Sequence, residues 1–131
     1  MFATMYSYSN DLCFAPENPG IALFNDSGVP YTGVIANAVK LWDNGTRVNE
    51  QPGPSVNHPG VAQAGVVSEV NGTDAEGHTY PAASSLLQVS LTFDAVQSLF
   101  TCTISNISNG TSNETPLSGG VFVVSNMLDG K

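Results

Sequence analysis

Between Leu87 and Phe93 apolar and polar side chains alternate without a break, and no other stretch limits the fold so tightly. A period of two sends successive side chains to opposite faces, which predicts a half-buried strand of an antiparallel sheet. Phe100 to Ser105 alternates in the same way and places Phe100, Cys102 and Ile104 on one face. Elsewhere the apolar runs are short and stop at turn residues, with 13 Gly and 8 Pro spread over 131 residues. Short strands, frequent turns and no segment of helical character predict an all-β protein, an antiparallel β-sandwich with little or no helix. With 41% apolar residues there is material for one core, so residues 1–131 read as a single domain.

In chain order, Met1–Tyr8 reads as a strand turned by Ser9-Asn10-Asp11, and Leu12–Ala15 as a short apolar piece stopped by Pro16–Gly20. Ile21–Phe24 has the length of a strand buried on both faces, and Asn25–Pro30 is a hairpin-type connection. Thr32–Ala36 is a short bridging segment. Ala38–Trp42 is predicted as a strand rather than the end of a helix, because Gly33 and the β-branched Val34, Ile35 and Val39 are weak helix formers without a cap. Glu50–Gly60 is coil rich in proline, Val61–Val70 an edge strand, and residues 71–85 a surface loop or linker. Gly120–Ser125 is predicted as a final buried strand.

Three basic and 11 acidic residues give a formal charge of −8, which argues against nucleic acid, since such binders need Lys and Arg to replace phosphate counterions. No apolar run approaches the roughly 20 residues of a membrane-spanning helix, so no membrane insertion is expected. Met1–Tyr8 has neither a basic n-region nor a continuous apolar stretch and does not read as a signal peptide. Asn-X-Ser/Thr occurs six times, at Asn25, Asn44, Asn71, Asn106, Asn109 and Asn113. Composition alone predicts about two, so the excess points to a glycosylated extracellular or cell-surface protein. Cys13 and Cys102 are the only cysteines, which allows one intrachain disulfide or two buried free thiols.

The most concentrated polar chemistry follows Leu41-Trp42. Asp43, Asn44, Thr46, Asn49 and Glu50 lie within eight residues around an Asn44-Gly45 turn, and such a turn can aim several oxygens at one point. Calcium takes six to eight oxygen ligands of these kinds. The competing reading is a hairpin turn with solvated side chains, because the EF-hand spacing is absent. Catalytic patterns are missing: His58 and His78 have no zinc-ligand spacing, Asp74 and Glu76 read as a solvated loop tip, and no Gly-x-Ser-x-Gly or phosphate loop occurs.

Ser9-Asn10-Asp11 after a strand containing Met5, then Gly20–Phe24, then the run from Leu41 to Gly53, together resemble the second half of the spondin N-terminal domain in its bacterial and secreted versions. In that family a Tyr/Trp-Asp-Ala-Gly-Thr-Glu run leads to Asn-Glu and Pro-Gly; this chain departs from it at Asn44 and Arg47. Leu87–Phe93, Ile104–Ser108 and Thr115–Val124 resemble the opening of the same domain, except that Ser125 stands where the family has histidine. Residues 1–70 thus look like the family's C-terminal half and 86–131 like its N-terminal half, in reversed order and without the helical middle. Circular permutation, donation of residues 86–126 as strands to the next molecule, or a piece of tandem domains each explain that order.

The resemblance implies a C2-like, calcium-binding sandwich of matrix and adhesion proteins. It implies Asp43 and Asp11 as calcium ligands, with Glu50 third; the alternative for Asp11 is a carboxylate bonded to nearby backbone amides. Two functions follow, neither of them enzymatic. One is an extracellular structural or adhesion subunit, polymerising with other copies of itself and stabilised by calcium. The other is a monomeric module that binds a glycan or an extracellular protein.

Overall fold

A computed structural model describes residues 1–35 and 37–126. Ten strands form in chain order: β1 (Phe2–Met5), β2 (Leu12–Pro16), β3 (Gly33–Val34), β4 (Val39–Asp43), β5 (Ser68–Glu69), β6 (Gly72–Thr73), β7 (Thr79–Tyr80), β8 (Leu87–Asp94), β9 (Leu99–Asn106) and β10 (Val121–Phe122). Every pairing is antiparallel. Among the described residues helix is limited to a 3₁₀ turn at Ala83–Ser85, so the all-β expectation holds.

Five strands make one sheet in the order β10-β1-β2-β4-β5, and three make a second in the order β3-β8-β9. In β2 and β4 fully buried positions alternate with half-buried ones, as the period of two requires. Leu12 and Phe14 of β2 and Val39 and Leu41 of β4 thereby reach one face, with Phe14 directly opposite Leu41. Tyr6 stacks on Phe14 at 5.6 Å between ring centroids. Leu87, Val89 and Leu91 of β8 are buried as the alternation predicts; Leu87 and Val89 join the same cluster, together with Tyr80, Ala83 and Leu86. Burying one such side chain contributes about 1.5–3 kcal/mol, which makes this shared cluster the main stabilising element.

The halves of the chain interlock. β3, from the first half, pairs with β8; β10, from the second half, pairs with β1. Side chains reinforce the second contact: Met5 N–H donates to Ser118 Oγ at 3.0 Å and Tyr8 N–H to Thr115 Oγ1 at 3.1 Å.

Several local expectations are corrected. Ile21–Phe24 is not a buried strand: Tyr31 N–H bonds Leu23 O at 2.8 Å and Phe24 bridges Pro30, which makes a small surface hairpin. Phe24 is held there edge-on against Phe93 and Phe100. Only Ser68–Glu69 of the predicted edge strand 61–70 joins the sheet, beside β4. Residues 71–85 are not a free linker, since β6 and β7 form a hairpin and Tyr80 and Ala83 enter the core. Nor is Gly120–Ser125 buried: Val121 and Phe122 are 73% and 82% exposed, because β10 sits at the sheet edge and none of the described residues covers it. Cys13 and Cys102 are free thiols. Cys13 on β2 is half-buried and Cys102 on β9 is exposed, so they form neither the disulfide nor a pair of buried thiols.

Candidate functional site

Two of the three acidic residues singled out by sequence, Asp11 and Asp43, lie at one end of the five-stranded sheet. Ser9 sets up the first of them. Its buried hydroxyl donates to Tyr6 O at 2.6 Å and accepts Leu12 N–H at 3.0 Å, which closes the turn between β1 and β2 and holds Asp11 at the sheet end. Asp43 is the last residue of β4, directly opposite Leu12. The two carboxylates are 8% and 6% exposed.

Both carboxylates are turned toward donors. Asp11 Oδ2 accepts Thr46 N–H at 2.7 Å, Thr46 Oγ1–H at 2.8 Å and Arg47 N–H at 2.9 Å. Asp43 Oδ1 accepts Gly45 N–H at 2.6 Å and its Oδ2 accepts Asn49 Nδ2–H at 2.8 Å. Arg47, where the resembling family carries an acid, therefore serves Asp11 through its backbone. Gly45 adopts φ +73°, and a Cβ there would lie 2.8 Å from backbone atoms of Gly65 and Val66, so only glycine fits. The two aspartates act as clamps that fasten the Asn44–Arg47 turn to β2, which satisfies buried charge with charge-assisted hydrogen bonds.

Two buried oxygens in this knot, Asp11 Oδ1 and Asn10 Oδ1, have no hydrogen-bond partner among the described residues. Asn10 is fixed from its other end, Nδ2 donating to Val48 O at 3.0 Å. Glu50 is spent elsewhere, its Oε2 accepting Asn57 N–H at 3.2 Å. Among the described residues no three His, Cys, Asp or Glu side chains form a group able to hold a metal ion. These two are the side-chain oxygens of the knot left for a cation, whose shell backbone carbonyls and water would have to complete.

No protein-family model, curated protein or solved structure matches this chain.

A second polar cluster closes the β6–β7 hairpin. Asp74 Oδ2 meets His78 Nδ1 at 2.9 Å and accepts Tyr80 O–H at 2.8 Å, while its Oδ1 accepts His78 N–H at 2.8 Å. The sequence puts Asp74 and Glu76 at a solvated loop tip; Glu76 is exposed, but Asp74 is half-buried and bonded to His78 and Tyr80. Burial works against the Asp74 charge, but the hydrogen bonds from Tyr80 and His78 and the nearby imidazole outweigh it and hold the carboxyl below its usual range. Burial, then the Asp74 carboxylate, pushes the Tyr80 phenol up.

The sequons differ in setting. Asn25, Asn44, Asn71, Asn106 and Asn109 are exposed and Asn113 is half-buried. Asn106 is committed, its Nδ2 donating to Thr115 O at 2.6 Å while its Oδ1 accepts Ser108 N–H at 2.9 Å. That loop, read from sequence as a sugar-bearing connection, is thus also a polar staple around buried Ser108 and Thr115. The one hint of it was Thr115-Pro116, a pair suited to a fixed turn rather than an open loop.

Proposed function

We propose that this chain is an extracellular structural or adhesion subunit of spondin type, a C2-like sandwich whose two segments complement each other within one copy or between successive copies. The observation that carries the reading is the interlock. Residues 86–126 hold the first half through two separate strand pairings, β3–β8 and β1–β10. The same contacts made between molecules would repeat head to tail, and such a heterologous contact builds an open filament. Five exposed sequon asparagines support an extracellular setting. Calcium is proposed at the Asp11 knot, where Asp11 Oδ1 and Asn10 Oδ1 would bind it and Asp43 would hold the adjoining turn in place. The ion would supply positive charge to a buried carboxylate oxygen that has no other partner.

Native molar mass by light scattering, at several concentrations with and without a calcium chelator, tests this reading. Mass that grows with concentration supports strand exchange, and dissociation by the chelator supports calcium. A monomer under every condition refutes the filament.

The alternative, a monomeric glycan- or protein-binding module, draws on an open groove of about 360 Å³ between β4, β5 and the 3₁₀ turn. Asn37, Lys40, Glu69 and Asn71 line it with polar groups over Val39 and Leu41. Saturable binding on a glycan array, lost with Lys40→Ala, would favour this reading.

A further inference from the structure

We propose that β9 is a self-association edge, on which the β9 of a second copy pairs antiparallel to give a two-fold dimer with one continuous sheet, β3-β8-β9 followed by the partner's β9-β8-β3. This rests on a different observation from the strand exchange above.

Strand β9 is eight residues long and, among the described residues, has a neighbour on one side only, β8. Exposed edges are ordinarily blunted by charge, proline, a bulge or a covering element. β9 has no charged residue and no proline, and its eight pairs with β8 run in unbroken register. Leu99, Thr101, Cys102, Thr103 and Ile104 are all exposed. The other described sheet edges are poorer templates: β3, β5, β6, β7 and β10 are two residues each, and β5 carries Glu69 of the Lys40–Glu69 ion pair.

The register of a second copy follows from the hydrogen bonding. Ile107 N–H donates to Leu86 O at 2.8 Å, so residues 105, 103, 101 and 99 aim their backbone groups at β8 in alternation. Phe100, Cys102, Ile104 and Asn106 aim theirs outward. Across β8, Ile35 N–H donates to Val89 O at 2.8 Å, and Val89 is the residue opposite Ile104, which agrees with that phase.

A partner strand must present its own outward set, so even-numbered residues face even-numbered ones. Centring the two-fold axis on Cys102 places Phe100 of one protomer opposite Ile104 of its partner, Thr101 opposite Thr103, and Cys102 opposite its own copy. Aromatic against β-branched and Thr against Thr are favourable cross-strand pairs. Sliding the partner by two residues sets Phe100 against Asn106 or Cys102 and loses this match. The occupant is therefore a second copy, because β9 is complementary to itself. Each copy carries a charge of −8, so the dimer strengthens with added salt.

Cys102 reports the register. Residues in a hydrogen-bonded antiparallel pair have Cα atoms about 5.5 Å apart, inside the disulfide range of about 4.4–6.8 Å. Diamide is the oxidant: two thiols give up two hydrogens to its azo group and form one S–S bond. Mildly alkaline buffer is used because burial pushes the Cys102 thiol up, against the pull of the N-terminal amine. The expected product is a dimer linked Cys102 to Cys102, kept in Cys13→Ser and lost in Cys102→Ser.

Thr101→Glu together with Thr103→Glu places carboxylates directly opposite each other and is expected to slow cross-linking at least tenfold. Thr101→Lys with Thr103→Glu, which sets opposite charges face to face, restores it. Both positions are exposed, and far-UV circular dichroism checks the fold of each variant. No dimer, a dimer linked through Cys13, or equal rates in the two double variants would overturn the proposal. Assembly beyond two copies that survives the double-Glu variant belongs to strand exchange, so the two ideas fail separately.

Discussion

Asp11→Ala is the sharpest probe of the acidic knot. The substitution leaves Thr46 N–H, Thr46 Oγ1–H and Arg47 N–H without their common acceptor. A hydrogen bond to a charged group contributes about 1.5–3 kcal/mol, and three of them sharing one oxygen do not add in full. Thr46 is exposed and Arg47 half-buried, so water takes up part of the loss. The expected cost is about 2–4 kcal/mol. Asp11→Asn keeps an acceptor for those donors and is expected to cost about 1–2 kcal/mol. The assay is urea unfolding followed by the fluorescence of Trp42, the only tryptophan, whose Nε1–H donates to Ala15 O at 3.0 Å inside the same sheet. A midpoint shift at constant slope reports stability alone. Repeating the series with calcium separates clamp from ligand, since only a bound ion makes the loss in Asp11→Asn depend on calcium. An Asp11→Ala cost below about 0.5 kcal/mol would refute the clamp.

Further outcomes follow from the same geometry. Gly45→Ala, forced to φ +73° with its Cβ against Gly65 and Val66, is expected to cost about 2–4 kcal/mol by thermal melting; a near-neutral result would mean that the turn relaxes freely. Leu41→Ala, in the shared core, should cost about 2–5 kcal/mol, whereas Val96→Ala at the exposed β8–β9 loop should stay within about 0.5 kcal/mol. Asp74 has a lowered pKa in the folded state, so its contribution is present above the unfolded carboxyl value, about 3.9, and is lost as pH falls through the lower folded value. Urea unfolding repeated between about pH 5 and pH 2 should therefore show wild type losing more stability than Asp74→Asn; parallel curves would contradict the link.

The strands with strict alternation were legible in the sequence, because β8 and β9 obey a period of two and each has turn residues at its ends. β4 was legible for a related reason, its Gly and β-branched neighbours ruling out a helix. Ile21–Phe24 and Val121–Val124 were misread for a shared cause. A short apolar run looks the same whether another layer covers it or not, and coverage depends on residues distant in the chain. At the site, Asp11 and Asp43 were identifiable as the carboxylates of two turns. Their convergence on the Thr46–Arg47 amides was not, since it follows from the β2–β4 register. Ser9, which closes the β1–β2 turn, and Ser108, which holds the Asn106–Thr115 loop, carry no local signal beyond being serine. The Asp74–His78 contact is a four-residue spacing across a hairpin whose strands have only two residues each, too short to show a period.

The pairing of β1 with β10 has a mechanical consequence. Met1 and Val123 exchange backbone hydrogen bonds of 3.0 Å in both directions, with Phe2 beside Phe122 and Ala3 beside Val121. Because the strands are antiparallel, the residues at which a pull through positions 1 and 126 would enter lie side by side. Such a load meets the hydrogen bonds one pair at a time, like a zip, instead of shearing them all together. Under tension β10 would peel away first and leave the inner sheet β1-β2-β4 and its core intact. The uncovered flank of β1 would then be free to take another strand, so stretching and joining would act at the same edge.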